Sequence, residues 1–258
     1  MSGHVIPANL LLPDQLLADL TGRIIVVASW KGGVGKSTIA TELAHLFRAV
    51  LVDLDPDKGG VTRGLGYFHE RYKTAPLLDA LERGTVPRIA PQRRHVDLVP
   101  SHPDLIENQP TPDTMATALE TWATAWGRTV VVDAPSGGWP ATRGAASAAH
   151  VIGTPGVLKT AELDGLESLA EELAGYPVMV VPNMVPPSPP EAQLKRLTAI
   201  TRAHRLPVTP QVKNAVWLPR RERRGPVTAR PPAAQSAGYV QQVHRVALKV
   251  GEHARTAA

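Results

Sequence analysis

The stretch RIIVVASWKGGVGKST occupies residues 23–38 and decides the fold. Residues 23–29 form a β-branched apolar run, which predicts a parallel strand buried on both faces. The glycines that follow allow a tight turn, and apolar residues at helical spacing from Ile39 to Phe47 predict a helix that opens at Ser37. A strand, a glycine-rich turn and a helix N-terminus together form an arrangement that cradles phosphate groups.

Each part of this loop has a separate task in binding a nucleoside triphosphate. Glycines let successive backbone N–H groups point inward, Lys36 reaches the β and γ phosphates, and Ser37 offers its hydroxyl to Mg²⁺. The alternative is a chance glycine-rich turn, against which the strand before it and the helix after it argue. We therefore expect a nucleoside triphosphate and Mg²⁺ as ligands, with the nucleotide held by Lys31, Gly32, Gly33, Val34, Gly35, Lys36, Ser37 and Thr38.

Strand and helix patterns alternate along the rest of the chain. Further strands are predicted at 49–54, 129–132, 150–153, 178–181 and 207–209. Helices are predicted at 75–83, 113–126, 161–174 and 191–204. This alternation implies an α/β fold, a mostly parallel sheet covered by helices on both faces, with the architecture of a P-loop NTPase.

We expect a single domain over residues 1–258, because this length suits one α/β core. Residues 1–22 are a short amphipathic N-terminal extension, expected to pack on the outside of the core. The chain has no cysteine, which excludes disulfides, thiolate metal sites and thiol nucleophiles and suits the cytoplasm. No apolar run approaches the roughly 20 residues of a membrane-spanning helix.

Charge is distributed unevenly along the chain. Residues 186–258 hold 13 Lys and Arg against 3 Asp and Glu, a net charge of +10, whereas the whole chain carries +5. Such an asymmetry indicates a polyanionic partner for the basic C-terminal part. The alternative is a solvated basic surface on an arginine-rich protein.

The loop departs from the usual phosphate-binding pattern in an informative way. That pattern places glycine at position 30, where this chain has Trp30, and does not require Lys31. The order Lys-Gly-Gly-x-Gly-Lys-Ser resembles the signature of the deviant Walker A ATPases. Over most of residues 23–250 the chain resembles the ParA branch of that family, the DNA-partition ATPases.

Further segments support the resemblance. VLVDLDP at 50–56 resembles the strand and switch segment of the family, and it is followed by GLG at 64–66 and LLDAL at 77–81. VVVDAP at 130–135 resembles its Walker B strand. Pro182 and Asn183 fall where the family turns toward the adenine, which makes Asn183 a nucleotide-binding candidate.

Acidic residues at strand ends and the first loop lysine carry the expected chemistry. A carboxylate at the end of a buried strand suits Mg²⁺, so Asp53 or Asp133 is expected to bind the ion beside Ser37. The resemblance implies that Asp55 orients the water that attacks the γ-phosphate; its alternative role is to cap the turn at Pro56. It also implies that Lys31 reaches the triphosphate of a partner subunit, so that ATP would hold a homodimer together.

Basic residues in the last quarter are the candidates for binding duplex DNA nonspecifically. One group lies on the predicted helix and the other in the segment after it: Lys195, Arg196, Arg202 and Arg205, then Lys213, Arg220, Arg221, Arg223 and Arg224. The resemblance implies an ATP hydrolase that segregates plasmid or chromosomal DNA, associates with the nucleoid and is stimulated by a ParB-like adaptor.

Two other classes remain alternatives. A MinD-like membrane-cycling ATPase has the same loop but needs a C-terminal amphipathic helix with large apolar residues, and residues 239–253 offer mainly valine and alanine. The expected partners therefore include no membrane. A metabolic ligase of related fold, similar to dethiobiotin synthetase, would have no use for a strongly basic C-terminal part.

Overall fold

The computed structural model describes residues 7–57, 60–72, 74–221 and 224–257. Seven strands occur in these residues. They are β1 Ile24–Ser29, β2 Val50–Asp53, β3 Ala90–Arg93, β4 Val96–Val99, β5 Val130–Ser136, β6 Val151–Gly156 and β7 Val178–Pro182.

The strands form one sheet in the order β3-β4-β2-β5-β1-β6-β7. Only the edge pair β3 and β4 is antiparallel among the described strands, and the other neighbours run parallel. Val27 of β1 and Asp53 of β2 both pair with Asp133 of the intervening strand β5. The carboxyl ends of three adjacent strands therefore meet at one edge of the sheet, where open α/β sheets bind their ligands.

Helices cover both faces of the sheet. Within the described ranges they are α1 Asp14–Asp19, α2 Lys36–Leu46, α3 Val61–Gly64, α4 Pro76–Arg83, α5 Pro112–Trp126, α6 Pro140–Ser147, α7 Thr160–Glu172, α8 Glu191–Ala203 and α9 Ala234–Thr256. Short 3-10 turns occur at Ala8–Leu10, His69–Arg71, Pro103–Ile106, Leu218–Arg220 and Val227–Ala229.

Alternate residues of β1 supply two separate cores. Ile25 and Val27 pack in a cluster that α2 and α9 cover, whereas Ile24 and Val26 pack in a cluster that α5 and α6 cover. A strand buried on both faces needs an apolar side chain at every position, which explains the uninterrupted run in the sequence. The predicted fold class, a mostly parallel sheet between two helical layers, is confirmed.

From residue 7 onward, the N-terminal extension belongs to the core, contrary to the expectation that it packs outside it. Leu10, Leu12, Leu16 and Leu20 are all buried in the cluster that α2 and α9 share. Gly251 of α9 lies so close that an added Cβ would stand 3.2 Å from Leu16. Four leucines spaced along residues 10–20 thus close the core beside the C-terminal helix.

Several elements differ from the sequence-based expectation. The β3–β4 hairpin and helix α6 were not predicted, and residues 207–209 contribute only an isolated bridge between Val208 and Val180. The segment 239–253 lies within α9, whose buried Val and Ala side chains face the core. None of the described helices combines the length and apolar character needed to cross a membrane.

Candidate nucleotide site

The glycine-rich loop joins the end of β1 to the start of α2. Gly33 and Gly35 adopt positive φ angles of 77° and 91°, a left-handed conformation that side chains disfavour. Helix α2 begins at Lys36 immediately after Gly35, so the loop ends at a helix N-terminus. The unpaired N–H groups of that first turn attract negative charge, which suits a phosphate.

Lys36 is held inside the site rather than extended into solvent. Its side chain is 6% exposed, and its Nζ donates a 2.7 Å hydrogen bond to the Ser136 hydroxyl at the end of β5. Burial lowers the pKa of Lys36, while the charges of Asp133 and Asp55 oppose that shift. The ammonium group therefore lies among the carboxyl ends of the strands, as a lysine that binds terminal phosphates requires.

Asp53 is fully buried and saturated by donors from the protein. Thr62 donates to one carboxylate oxygen from its backbone nitrogen at 2.8 Å and its hydroxyl at 2.6 Å, and the Asp55 backbone nitrogen donates to the other at 3.0 Å. Burial nevertheless raises the pKa of Asp53 to about 7, against these hydrogen bonds. Asp53 fixes the segment that follows β2, and little of its carboxylate remains for a metal ion.

Asp133 has the opposite environment. Both of its carboxylate oxygens are buried and have no hydrogen-bond partner among the described residues. Burial and the neighbouring Asp53 charge raise its pKa well above the usual value, and the nearby Ser37 hydroxyl and the charge of Lys36 oppose that rise. A buried carboxylate left without a partner needs a counter-charge, and it fits Mg²⁺ better than Asp53 does.

The donor set also fits the way proteins bind Mg²⁺. No cluster of three or more His, Asp or Glu side chains in the described ranges forms a complete metal cage. Mg²⁺ bound with a nucleotide usually takes one or two protein oxygens, and phosphate and water oxygens complete the shell. Ser37 on α2 and Asp133 on β5 provide such a pair.

Asp55 lies in the segment after β2 and is half-buried. Its carboxylate accepts a 3.0 Å hydrogen bond from the Asp57 backbone nitrogen, the contact expected of a residue that caps the turn at Pro56. Asp55 also lines a cavity of about 240 Å³ together with His69, Ser101 and His102. Asp55 therefore caps the turn and also borders an open cavity.

Lys31 is exposed at the start of the loop, and its stem crosses helix α7. A Cβ added to Gly165 would stand 2.4 Å from Lys31 Cγ, so only glycine leaves room for the lysine stem there. The residue before it is fixed from the other side, because Trp30 Nε1 donates to Glu172 at 2.7 Å and Arg143 donates to the same carboxylate. No local pattern predicts that Trp30, Arg143 and Glu172 meet, since they lie on separate elements.

Asn183 supports the loop from behind. Its Nδ2 donates a 2.8 Å hydrogen bond to the Val34 carbonyl oxygen, and its backbone nitrogen bonds to Gly156. Two adjoining cavities, of about 250 and 40 Å³, open beside this point. They share the lining residues Thr38, Met184, Leu218 and Pro219. No motif in the sequence predicts that Met184, Leu218 and Pro219 line a shared space.

The predicted basic residues fall into two groups on different elements. On α8, Lys195 pairs with Glu191 at 2.7 Å and Arg196 pairs with both Asp164 and Glu167, so much of that charge is neutralised. Arg202 and Arg205 are exposed at its end. In the following segment Lys213, Arg220 and Arg224 are exposed and Arg221 is half-buried, while Arg223 lies outside the described residues.

Comparison with known proteins identifies the family of the chain. The sequence profile described as CobQ/CobB/MinD/ParA nucleotide binding domain matches residues 25–226. The chain is 38% identical over 92 residues to the chromosome partitioning protein ParA of Myxococcus xanthus, covering 33% of this chain and 32% of the relative. It is 34% identical over 157 residues to the chromosome-partitioning ATPase Soj of Thermus thermophilus, covering 58% of this chain and 61% of the relative.

The chain thus spans less than two thirds of the length of these two curated relatives. Among solved structures, the McdA–ATP complex of Cyanothece superposes with a TM-score of 0.68 and 17% identity, covering 88% of this chain and 95% of that one. At this identity the likeness concerns the fold alone. The predicted resemblance to the ParA-type deviant Walker A ATPases is confirmed: the chain belongs to the CobQ/CobB/MinD/ParA nucleotide-binding domain family.

Proposed function

We propose that this protein is an ATP hydrolase that segregates plasmid or chromosomal DNA. The observation that carries the proposal is the convergence of Lys36, Asp133 and Asp55 at the carboxyl ends of adjacent strands, beside a glycine-rich loop. Both curated relatives described above are named as chromosome-partitioning proteins, which favours DNA as the cargo. The basic C-terminal part supplies the charge that such a cargo requires.

In this proposal the loop binds the phosphates of ATP through its backbone N–H groups and Lys36. Ser37 and Asp133 hold Mg²⁺. Asp53 fixes the segment that follows β2 through its hydrogen bonds with Thr62 and Asp55. Mg²⁺ supplies positive charge that neutralises the charge developing on the β and γ phosphate oxygens. The base occupies the space beside Thr38, Met184 and Pro219, and Asn183 keeps the loop in place for it.

Hydrolysis in this proposal depends on Asp55 and on Lys31. Asp55 positions the attacking water, which is the main protein contribution when phosphoryl transfer needs little covalent chemistry. Lys31, which is exposed at the start of the loop, reaches the triphosphate of a second subunit in this proposal. ATP would then favour a homodimer, and loss of the γ-phosphate would release it.

DNA binding in this proposal is nonspecific and reversible. The dimer brings together two copies of the segment 213–224, whose arginines contact phosphates and release counterions. The protein would then lie on the nucleoid in the cytoplasm, and a DNA-bound adaptor of the ParB kind would stimulate hydrolysis. A MinD-like membrane role has little support, because the apolar Val and Ala side chains of α9 are buried in the core.

The proposal is tested by titrating a duplex of arbitrary sequence with the protein in ATP, in ADP and without nucleotide. We expect tight binding only with ATP and a steep loss of affinity as salt increases. Replacing Arg220 and Arg221 by alanine should weaken binding on every sequence and reduce the salt slope by about one per lost phosphate contact. Arg83→Ala, an exposed arginine on α4, is the control.

Equal DNA affinity in the three nucleotide states would contradict the switch. Sedimentation with anionic vesicles is run alongside, because a MinD-like protein would sediment with them only in ATP. Sedimentation with vesicles and no binding to duplex DNA would replace the proposal by that alternative.

A further inference from the structure

Glu42 is a buried acid that the proposed hydrolysis does not use. It lies on α2, the helix that begins at Lys36, and its side chain is 1% exposed. Burial raises its pKa, so the fold bears a cost for keeping a carboxyl group there. An apolar residue at this position would avoid that cost, so the buried acid is expected to make an interaction that an apolar residue cannot make.

The carboxylate of Glu42 binds one short segment near the C-terminus. One oxygen accepts a 2.7 Å hydrogen bond from the Val227 backbone nitrogen. The other accepts from the Thr228 hydroxyl at 2.7 Å and the Thr228 backbone nitrogen at 3.2 Å. All these groups are buried and lie 185 or 186 residues away in sequence, so the contact ties two distant elements together.

Glu42 holds Val227 and Thr228, which follow a basic segment closely. Its described residues, 218–221 and 224, are called the basic run below. Arg220, Arg221 and Arg224 lie just before Val227, and the charge of Arg221 acts on Glu42 from close by. At the start of the same run, Leu218 and Pro219 line the cavities that Thr38 also lines. The basic run is therefore fastened at one end to α2 and faces the proposed base site at the other.

A second path joins the basic run to the carboxylates. Arg224 packs on Gly64 of α3, where an added Cβ would stand 3.5 Å from Arg224 Cβ. Helix α3 is in turn tied to Asp53 by the two hydrogen bonds from Thr62. The basic run thus touches both the helix that starts at the phosphate loop and the segment that follows the proposed catalytic Asp55.

We infer that the Glu42–Thr228 contact couples the nucleotide site to the basic run, so that Glu42 is a positioning residue for nucleotide-dependent DNA binding. This inference rests on the proposed function. A shift of α2 on triphosphate binding moves Val227 and Thr228 with it, because three hydrogen bonds join these two residues to Glu42, and the arginines just before Val227 follow. Loss of the contact leaves ATP bound but makes the arginines respond less to it.

The alternative role is structural, with Glu42 holding the C-terminal segment in the fold and nothing more. Matched threonine substitutions separate the two roles. Thr228→Val removes one buried hydroxyl that donates to Glu42. Thr129→Val removes another buried hydroxyl, which donates to the Leu20 carbonyl at 2.8 Å far from the basic run. Both substitutions keep the side-chain shape and remove one buried hydrogen bond.

The measurement is the ratio of affinities for a fluorescent duplex with a nonhydrolysable ATP analogue and with ADP, together with the affinity for the ATP analogue itself. We expect Thr228→Val to bind the analogue like the wild type, whereas its ratio of DNA affinities should fall about tenfold. Thr129→Val should keep the wild-type ratio, and Thr228→Ser, which retains a hydroxyl, should restore it. Glu42→Gln provides a second disruption of the same contact.

A Thr228→Val protein with the wild-type ratio overturns the inference, and so does an equal loss in both valine variants. A wild-type protein whose DNA affinity ignores the nucleotide overturns the proposed function and this inference with it. Should Thr228→Val fold poorly, Glu42→Gln decides by the same ratio.

Discussion

Asn183 Nδ2 donates a 2.8 Å hydrogen bond to the carbonyl oxygen of Val34, so the end of β7 supports the phosphate loop from behind. The same amide nitrogen lies 2.5 Å from the position that a Cβ on Gly35 would occupy. The glycine is therefore required twice, once for its φ of 91° and once for the space that Asn183 fills. Both the conformation of the loop and its hydrogen bond from Asn183 therefore depend on Gly35.

Gly35→Ala is expected to reduce ATP affinity by at least about tenfold, because the loop and Asn183 cannot both keep their positions. Binding of a fluorescent ATP analogue measures the loss. Gly22→Ala is the matched control: Gly22 has a φ of 79° but nothing within 4 Å of an added Cβ. The control should lose about 1 kcal/mol of stability through backbone strain and keep its ATP affinity. Equal affinity losses in the two variants would show that the Asn183 contact is irrelevant.

Lys36→Ala should abolish ATP binding, since it removes the buried ammonium at the ends of the strands. Ser136→Ala should weaken binding only a few-fold, because it removes one hydrogen bond that orients the lysine, about 1 kcal/mol. Calorimetric titration with ATP distinguishes these two levels. Ser147→Ala, an exposed serine on α6, should behave like the wild type. If the Lys36→Ala protein bound ATP almost as well as the wild type, the phosphates would have to bind at a site other than Lys36.

The parts of this fold that the sequence predicts are those whose physical cause is local. Strand β1 and the start of α2 follow from an apolar run, a set of glycines and a helical spacing within residues 23–47. Helix α6 has no such signal, because it packs through small residues: Gly144 fits against α5 so closely that an added Cβ would stand 2.3 Å from the Pro112 carbonyl oxygen. The edge strand β3 reads APQR and forms only because β4 offers it a partner.

The site divides in the same way. Spacing within one loop identifies Lys36 and Ser37, whereas contacts between distant residues cannot be read from it. Asn183 and Val34 lie 149 residues apart, and Glu42 and Thr228 lie 186 apart. The two aspartates that the sequence treats alike, Asp53 and Asp133, separate only in three dimensions, where Thr62 saturates one and no described residue bonds to the other.

Lys31→Ala is expected to bind ATP normally but to lose hydrolysis or dimerisation, because the side chain is exposed and contributes to the partner's site in the proposal. Sizing by light scattering with ATP and release of inorganic phosphate measure the two effects. Lys159→Ala is the control, since Lys159 is another exposed lysine, 71% accessible, just before α7. A Lys31→Ala protein that hydrolyses ATP at the wild-type rate would contradict a role in trans.

Asp55→Ala should trap a dimer that holds ATP and remains on DNA, because the water is no longer positioned while the phosphates are still bound. Light scattering in ATP should show the dimer, and phosphate release should fall by about a hundredfold or more. Asp57→Asn alters the exposed neighbouring carboxylate and should hydrolyse ATP normally. A monomeric Asp55→Ala protein in ATP would favour the turn-capping role alone, in which loss of the contact to Asp57 disorders the segment.

Glu42 also gives the fold a pH dependence of defined sign. Burial raises the pKa of Glu42 above its usual 4.5, against the hydrogen bonds from Val227 and Thr228 and the nearby charge of Arg221. Below pH 4.5 the group is protonated in both the folded and the unfolded chain, so it adds no pH dependence there. As the pH rises further, the unfolded chain releases the proton first, and the folded chain binds more protons than the unfolded one. The free energy of unfolding must therefore fall until the folded pKa is passed.

Urea unfolding of the wild type and of Glu42→Gln at several pH values isolates this effect, because other groups titrate alike in both. The stability of the wild type relative to Glu42→Gln should decrease from about pH 4.5 upward and then level off. Tyr239, buried beside Glu42 with a raised pKa, titrates far above this window. A difference that stays constant or grows with pH would mean that the hydrogen bonds outweigh burial and that the carboxylate is charged at all working pH values. The contact with Thr228 would then join the basic run to α2 more tightly than a neutral acid could.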